Sequence, residues 1–227
     1  MIRARPDAAV PDTATLPRRK ARELAQRKVE ILAAAERLFA RKGFFKTSMA
    51  EIAQEAEFSV GSLYQFFPSK DAVYVALMED KFAEYLAVVQ REVAAAKTAL
   101  DQLDALIATK FGFFEKHRNF FRIYVTEWGV GECSVKGALG ERISGLREEY
   151  LTLLTKTMAS GIRRRMFKKL DAKEMAHLFD GMMNAIIHQW IASAGEESLA
   201  AKSSTVRDVF LRGVLVGQPV GVKMRGR

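Results

Sequence analysis

A single cysteine, Cys133, stands in 227 residues, so no internal disulfide and no paired-cysteine metal site can form, and the chain suits a reducing compartment. Glu132 beside it, with no histidine neighbour, disfavours a reactive thiolate. Histidine is nearly as scarce, at His117, His177 and His188. His177 and His188 fall on one helical face with Asp180 near the first, but about three turns separate them, too far to share a metal. No Ser-His-Asp order and no nucleotide loop is present. The glycine-rich run at 129–145 follows no strand and lacks phosphate-loop spacing, so it reads as a mobile connection. An enzyme is therefore not expected, and no catalytic residue, metal or cofactor is assigned. No apolar run reaches bilayer length and the N-terminus lacks an apolar signal core, so neither a membrane nor export is expected, and the expected location is the cytoplasm.

What is present is positive charge and helical patterning. The formal net charge is +9, and hydrophobic residues make up 49%, ample for a core. Residues 1–46 hold twelve Lys/Arg against five Asp/Glu, so much of the excess lies at one end and favours an anionic partner. Residues 1–22 contain three prolines and no apolar stripe and read as a disordered basic arm, whose Arg18, Arg19, Lys20 and Arg22 suit a nucleic-acid backbone or a solvating tail equally. A helix is expected over 23–42, stopped by Gly43.

The stretch 46–70, KTSMAEIAQEAEFSVGSLYQFFPSK, organises the rest. Ser48 and Glu51 have capping-box spacing, and Ile52, Ala53 and Ala56 give the short helix an apolar face. Ser59 caps a second helix whose Leu63 and Phe67 point inward, and Pro68 ends it. Two short helices and a tight turn make a helix-turn-helix. The outward face of the second carries Val60, Gly61, Ser62, Tyr64 and Gln65, small or polar groups suited to base edges and phosphates.

The runs SVGSLYQFFPSK and MAEIAQEA resemble the recognition helix, and the helix before it, of the TetR family of transcriptional regulators. Two positions depart from the family pattern: Glu57 stands where a turn glycine is usual, so a non-glycine residue is expected at positive φ, and Phe66 stands where histidine or tyrosine is common. The resemblance implies an all-α chain with a three-helix helix-turn-helix DNA-binding domain at 23–70 and a larger helical effector-binding and dimerisation domain at 71–217, before a flexible tail at 218–227. It implies a homodimeric repressor that binds a palindromic operator in double-stranded DNA and is released by a small-molecule effector. Lys46, Thr47, Ser48, Ser59, Val60, Gly61, Ser62, Tyr64, Gln65 and Lys70 are the expected DNA-binding residues, with Thr47, Tyr64 and Lys70 on phosphates.

Beyond the motif, helices are expected over 71–98, 100–116, 120–128, 139–167, 172–194 and 204–216. Aromatic residues crowd 111–128, either as core or as pocket lining. The expected pocket residues are Phe82, Phe113, Phe114, Tyr124, Trp128, Met158, Phe179 and Met183. The helix at 172–194 is apolar on most sides, so a partner must cover part of it. With the last helix it resembles the family's dimer bundle, and Met182, Gln189, Val206, Phe210 and Val214 are the expected interface residues.

Overall fold

The computed structural model describes residues 18–118, 121, 135–193 and 197–216, and of residues 135–143 only the main chain. Tyr124, Trp128, Cys133, the helix expected near 120–128 and the expected tail lie outside the described residues, apart from Phe121. The described elements are α1 (Arg18–Lys42), α2 (Met49–Glu55), α3 (Val60–Phe66), α4 (Lys70–Ala95), α5 (Ala99–Lys116), α6 (Val135–Arg163), α7 (Ala172–Ala192), a 3-10 turn (Leu199–Lys202) and α8 (Ser203–Val214). Three boundaries differ by four residues or more from expectation: the starts of α1 and α6, and the end of α6, at Arg163 and not at 167. α1 starts at Arg18, so the last five residues of the expected arm are helical. α6 starts at Val135, so the second half of the expected mobile connection is helix; its glycines do not outweigh a register that packs α6 against α4 and α7.

In the first domain α1 turns Ile31, Leu32, Ala35, Leu38 and Phe39 inward. Gly43 at φ 83° ends it, its N–H donating to the Phe39 carbonyl at 2.8 Å. Phe44 then packs with Phe39 and Tyr74, ring centroids 5.1–5.8 Å apart, while Phe45 stays exposed. α2 carries the complete capping box between Ser48 and Glu51. Between α2 and α3 the chain closes as a Schellman turn: the Phe58 N–H donates to the Ala53 carbonyl at 2.8 Å and the Glu57 N–H to Gln54 at 3.1 Å. Glu57 holds the left-handed position at φ 60°, as its place in the turn predicts.

α4 joins this domain to the next. Six consecutive residues, Val73–Met78, are buried, so here the helix is covered on every side. Farther along, Tyr85, Leu86, Val89 and Val93 enter the core shared with α5–α8. α7 buries Met175, Phe179, Met183, Ile187 and Trp190 on one side. Between α6 and α7 the Phe167 ring lies where a side chain at Gly161 would stand, 2.1 Å from its Cβ position, so that glycine is fixed by packing. The same loop is pinned to the end of α8, the Lys168 N–H donating to the Val214 carbonyl at 2.7 Å.

Candidate nucleic-acid interface and effector core

The solvent face of α3 is built as the motif requires. Leu63 is fully buried and Phe67 nearly so, which turns Val60, Gly61, Tyr64 and Gln65 outward. Tyr64 is 51% exposed, so its phenol is free to reach a partner. A Cβ at Gly61 would meet nothing within 4 Å, so no contact inside the subunit demands a glycine there. Ser59 caps α3, and its hydroxyl pairs with that of Ser62 at 2.8 Å. Ser48 is exposed at the head of α2, and Lys46 is exposed beside it. Phe66, the departure from the family pattern, is half-buried and meets Phe58 edge to face, ring centroids 6.3 Å apart. Its ring closes the turn from inside the domain.

Two expected phosphate contacts are placed otherwise. Thr47 is buried and its hydroxyl donates to the Gly43 carbonyl at 2.8 Å, closing the turn before α2. The Lys70 ammonium donates to the carbonyls of Phe44 and Thr47 at 2.8 Å each and of Phe45 at 3.4 Å, and lies 4.4 Å from the Phe44 ring centroid. All three of its N–H groups are engaged, which leaves none for a phosphate. The reason is local: the 43–47 turn directs the carbonyls of Phe44, Phe45 and Thr47 toward one point, where a single cation can donate to all three. Arg41 is also engaged within the domain, joining Arg37 on the Glu55 carboxylate at 2.8 and 2.9 Å. These hydrogen bonds, that of Arg41 foremost, hold Glu55 below its ordinary pKa. Hydrogen bonds from Lys42 and Ser48 hold Glu51 at about 2. The last three cations of α1, Arg37, Arg41 and Lys42, are thus paired with two carboxylates of α2, which a count of charges in sequence does not reveal.

The expected pocket residues divide. Phe113 and Phe114 form one aromatic wall with Tyr85, Phe121 and Tyr150: Tyr85 lies 5.2 Å from Phe113, 6.2 Å from Phe114 and 5.4 Å from Tyr150, while Phe114 stacks on Phe121 at 3.7 Å. Phe82 is half-buried against the core. Met158, Phe179 and Met183 are fully buried, and Phe179 packs on Phe210 toward α8 at 4.7 Å, away from this wall.

A polar cluster inside the wall is invisible in the motif. Lys110 on α5, 3% exposed, forms an ion pair with Asp180 on α7. Asp180 also accepts from Tyr150 at 3.1 Å and from Asn184 at 2.9 Å. Burial pushes the Lys110 ammonium below its ordinary pKa, against the pull of Asp180. Burial raises both tyrosines. The Tyr85 hydroxyl, near that of Tyr150, makes no hydrogen bond of good geometry among the described residues. Leaving such a group unpaired costs about 1–3 kcal/mol. Lys110 was readable in sequence only as one charge in an otherwise apolar face of α5.

A cleft of about 610 Å³ opens between the two domains, lined by Glu36, Arg37, Ala40 and Arg41 of α1 and by Glu115, Lys116, His117 and Arg118 at the end of α5. His117 lines it and lies against Phe113, ring centroids 4.5 Å apart and tilted by 36°, so the cleft adjoins the aromatic wall. Under it Lys81 of α4 bridges Glu36 and Glu84 at 3.3 and 3.6 Å.

Of the residues expected at the dimer interface, Val206, Phe210 and Val214 are buried inside their own subunit. A monomer core needs the apolar stripe of α8, so that stripe is not available to a partner. The outward face consists instead of Leu178, Gly181, Ala185 and Gln189 on α7, with Met182 half-buried beside them, and Val209 and Gly213 on α8. Leu178 is 66% exposed and Val209 57%.

This geometry has counterparts among known proteins. The model of bacterial regulatory proteins of the tetR family matches residues 31–77, and that of the tetracyclin repressor-like C-terminal domain matches residues 96–214, more than half of the chain. The fatty acid metabolism regulator protein of Bacillus subtilis is 21% identical over 187 residues, covering 82% of this chain and 94% of that protein. The transcriptional repressor KstR2 of Rhodococcus jostii is 24% identical over 196 residues, covering 83% and 91%. Among solved structures, the regulator FadR from Bacillus subtilis in complex with stearoyl-CoA superposes with a TM-score of 0.72 at 20% identity, covering 82% of this chain and 98% of that one. Thermus thermophilus FadR in complex with lauroyl-CoA superposes with a TM-score of 0.60 at 19% identity, covering 85% and 97%. Among the described residues no helix is long and apolar enough to cross a membrane. With a helix-turn-helix in its first domain and a repressor-like second domain, the chain belongs to the TetR family of bacterial regulatory proteins and is a DNA-binding transcriptional regulator.

Proposed function

We propose that the chain is a homodimeric repressor that reads a palindromic operator with residues 59–65 of each subunit and is released by a long-chain acyl-coenzyme A thioester. The observation that carries the DNA reading is the face of α3: Val60, Gly61, Tyr64 and Gln65 are exposed, and packing inside the subunit explains none of them. Lys46 is exposed beside that face and is the charged group best placed on a phosphate, whereas the Ser48 hydroxyl donates to Glu51. Two such helices about a two-fold axis would enter successive major grooves, which gives a palindrome. The exposed stripe of α7 and α8 supports the dimer, since an apolar surface rimmed by polar groups marks a partner.

The effector class rests on two supports. The FadR proteins that share this fold hold stearoyl-CoA and lauroyl-CoA. In this chain the cleft over His117 offers Lys116 and Arg118, Arg37 and Arg41 being held by Glu55, to a phosphate-bearing head beside an aromatic interior suited to an alkyl chain. Because α4 is packed into both domains, a ligand that moves it changes the separation of the reading helices. The effector must bind the DNA-incompetent arrangement more tightly, or nothing shifts. Selection of bound sequences from random duplex DNA, followed by titration with palmitoyl-CoA, tests the reading. A palindromic consensus and release by the thioester are expected; a non-palindromic consensus or no release would overturn its respective half.

A further inference from the structure

We propose that Tyr85 and Lys110 form a donor pair for one carbonyl or carboxylate oxygen of an effector with a long apolar chain, with Asp180 as the counter-ion that holds Lys110 in the effector's absence. The inference deepens the reading above, on which its identification of an effector core rests. Three observations carry it. The Tyr85 phenol is enclosed, and its one polar neighbour, the Tyr150 hydroxyl, stands toward it as a donor outside good hydrogen-bond geometry, so the Tyr85 proton has no well-placed acceptor among the described residues. Among the described residues Lys110 makes one hydrogen bond, to Asp180, and its ammonium otherwise lies over the rings of Tyr150 and Phe114, 5.4 and 6.0 Å from their centroids, so it retains N–H groups for an incoming oxygen. Asp180 keeps two other donors, Tyr150 and Asn184, so the carboxylate stays satisfied when Lys110 turns away. An ion pair in an apolar core is weak evidence of a stabilising role, because desolvation offsets the attraction; a pair that can open and reclose has a use beyond stability.

The geometry also gives the pair a lever. Tyr85 belongs to α4, the helix enclosed by the reading domain at Val73–Met78, whereas Lys110 and Asp180 belong to α5 and α7. An oxygen bridging Tyr85 and Lys110 adds a polar tie between α4 and α5, which already meet through Tyr85, Phe113 and Phe114. The aromatic wall of Phe113, Phe114 and Tyr150 would flank the alkyl chain next to that oxygen.

The test uses the full-length protein on its selected operator, with palmitoyl-CoA and palmitate as separate probes and release from DNA and direct calorimetric binding as readouts. Tyr85→Phe keeps the ring and removes the unpaired hydroxyl, so melting temperature and operator affinity should hold while the release midpoint rises about tenfold, the loss of one hydrogen bond. Lys110→Met alone would strand a buried carboxylate, so it is paired with Asp180→Asn; this double variant should also bind the probes more weakly. If palmitoyl-CoA releases wild type and both variants at the same concentration, the donor pair is refuted and the thioester reading stands. If wild type ignores palmitoyl-CoA, the thioester reading falls, and palmitate decides the donor pair: binding weakened by Tyr85→Phe sustains it, and no binding, or equal binding, refutes it.

Discussion

The Nζ of Lys70 lies 2.8 Å from the main-chain oxygen of Thr47, so the cation at the head of α4 is bound to the turn before α2 and not held out to solvent. With its bond to Phe44, this contact fixes α4 against the reading domain. Lys70→Ala should therefore lower stability by about 1–2 kcal/mol, as hydrogen bonds from a charged group are lost, and leave the salt dependence of operator binding unchanged. Lys46→Ala should do the opposite, reducing the logarithmic salt slope by about one with no change in melting temperature. Melts and titrations at several salt concentrations separate the two.

The dimer has a matched pair of tests. Phe210 is 5% exposed against Phe179, so Phe210→Asp should unfold the subunit through an unpaired buried charge. Val209 is 57% exposed, so Val209→Asp should leave the subunit helical and weaken dimerisation. Circular dichroism with sedimentation distinguishes an unfolded chain from a folded monomer. A Val209→Asp dimer that persists at nanomolar concentration would place the interface elsewhere.

These cases mark what the sequence makes legible. Capping residues act over three positions, so Ser48, Ser59 and Asp171 announce their helices, and Glu57 announces a left-handed turn. The reading face follows from them, because inward Leu63 and Phe67 decide which way Tyr64 points. Long-range partners carry no such local signature. Lys70 and Thr47 are 23 positions apart and Lys110 and Asp180 are 70 apart, and nothing near either residue encodes its partner. Val206 and Phe210 show the same limit: an apolar stripe says that a helix face is covered, without saying whether its own subunit or a second one covers it.

Acid should destabilise the protein before its carboxylates titrate. The His117 side chain is nine-tenths buried, and burial, with Lys81 and Lys116 near it, pushes its pKa below the ordinary value despite Glu84 at 3.6 Å. The unfolded chain then takes up a proton near pH 6.5 that the folded chain resists, so stability is full above that pH and falls as pH is lowered through it. Glu51, Glu55 and Glu197, held below their ordinary values, weaken the fold only below about pH 4.5. The melting temperature should drop between pH 7 and pH 5 in wild type and much less in His117→Phe.

The turn that aims α3 carries a cost that one substitution removes. Glu57 sits at φ 60°, where a side chain is disfavoured and glycine is not. Glu57→Gly should raise stability by about 0.5–1 kcal/mol, the relief of strain exceeding the added freedom of the unfolded chain, with operator affinity unchanged. A lower melting temperature would mean that the Glu57 side chain contributes more than its backbone costs.

The most direct measurement concerns Gly61. A Cβ there meets nothing within 4 Å in the subunit, so Gly61→Val should fold and dimerise as wild type does. On the operator, the added methyl groups would hold α3 off the floor of the groove. Fluorescence anisotropy with the selected operator and with a scrambled duplex, on a variant first shown to be a folded dimer, reads the difference. The account predicts loss of the specific complex with the weak salt-sensitive binding to scrambled DNA retained; unchanged operator affinity would contradict it, because the face of Val60, Gly61, Tyr64 and Gln65 would then not enter the groove.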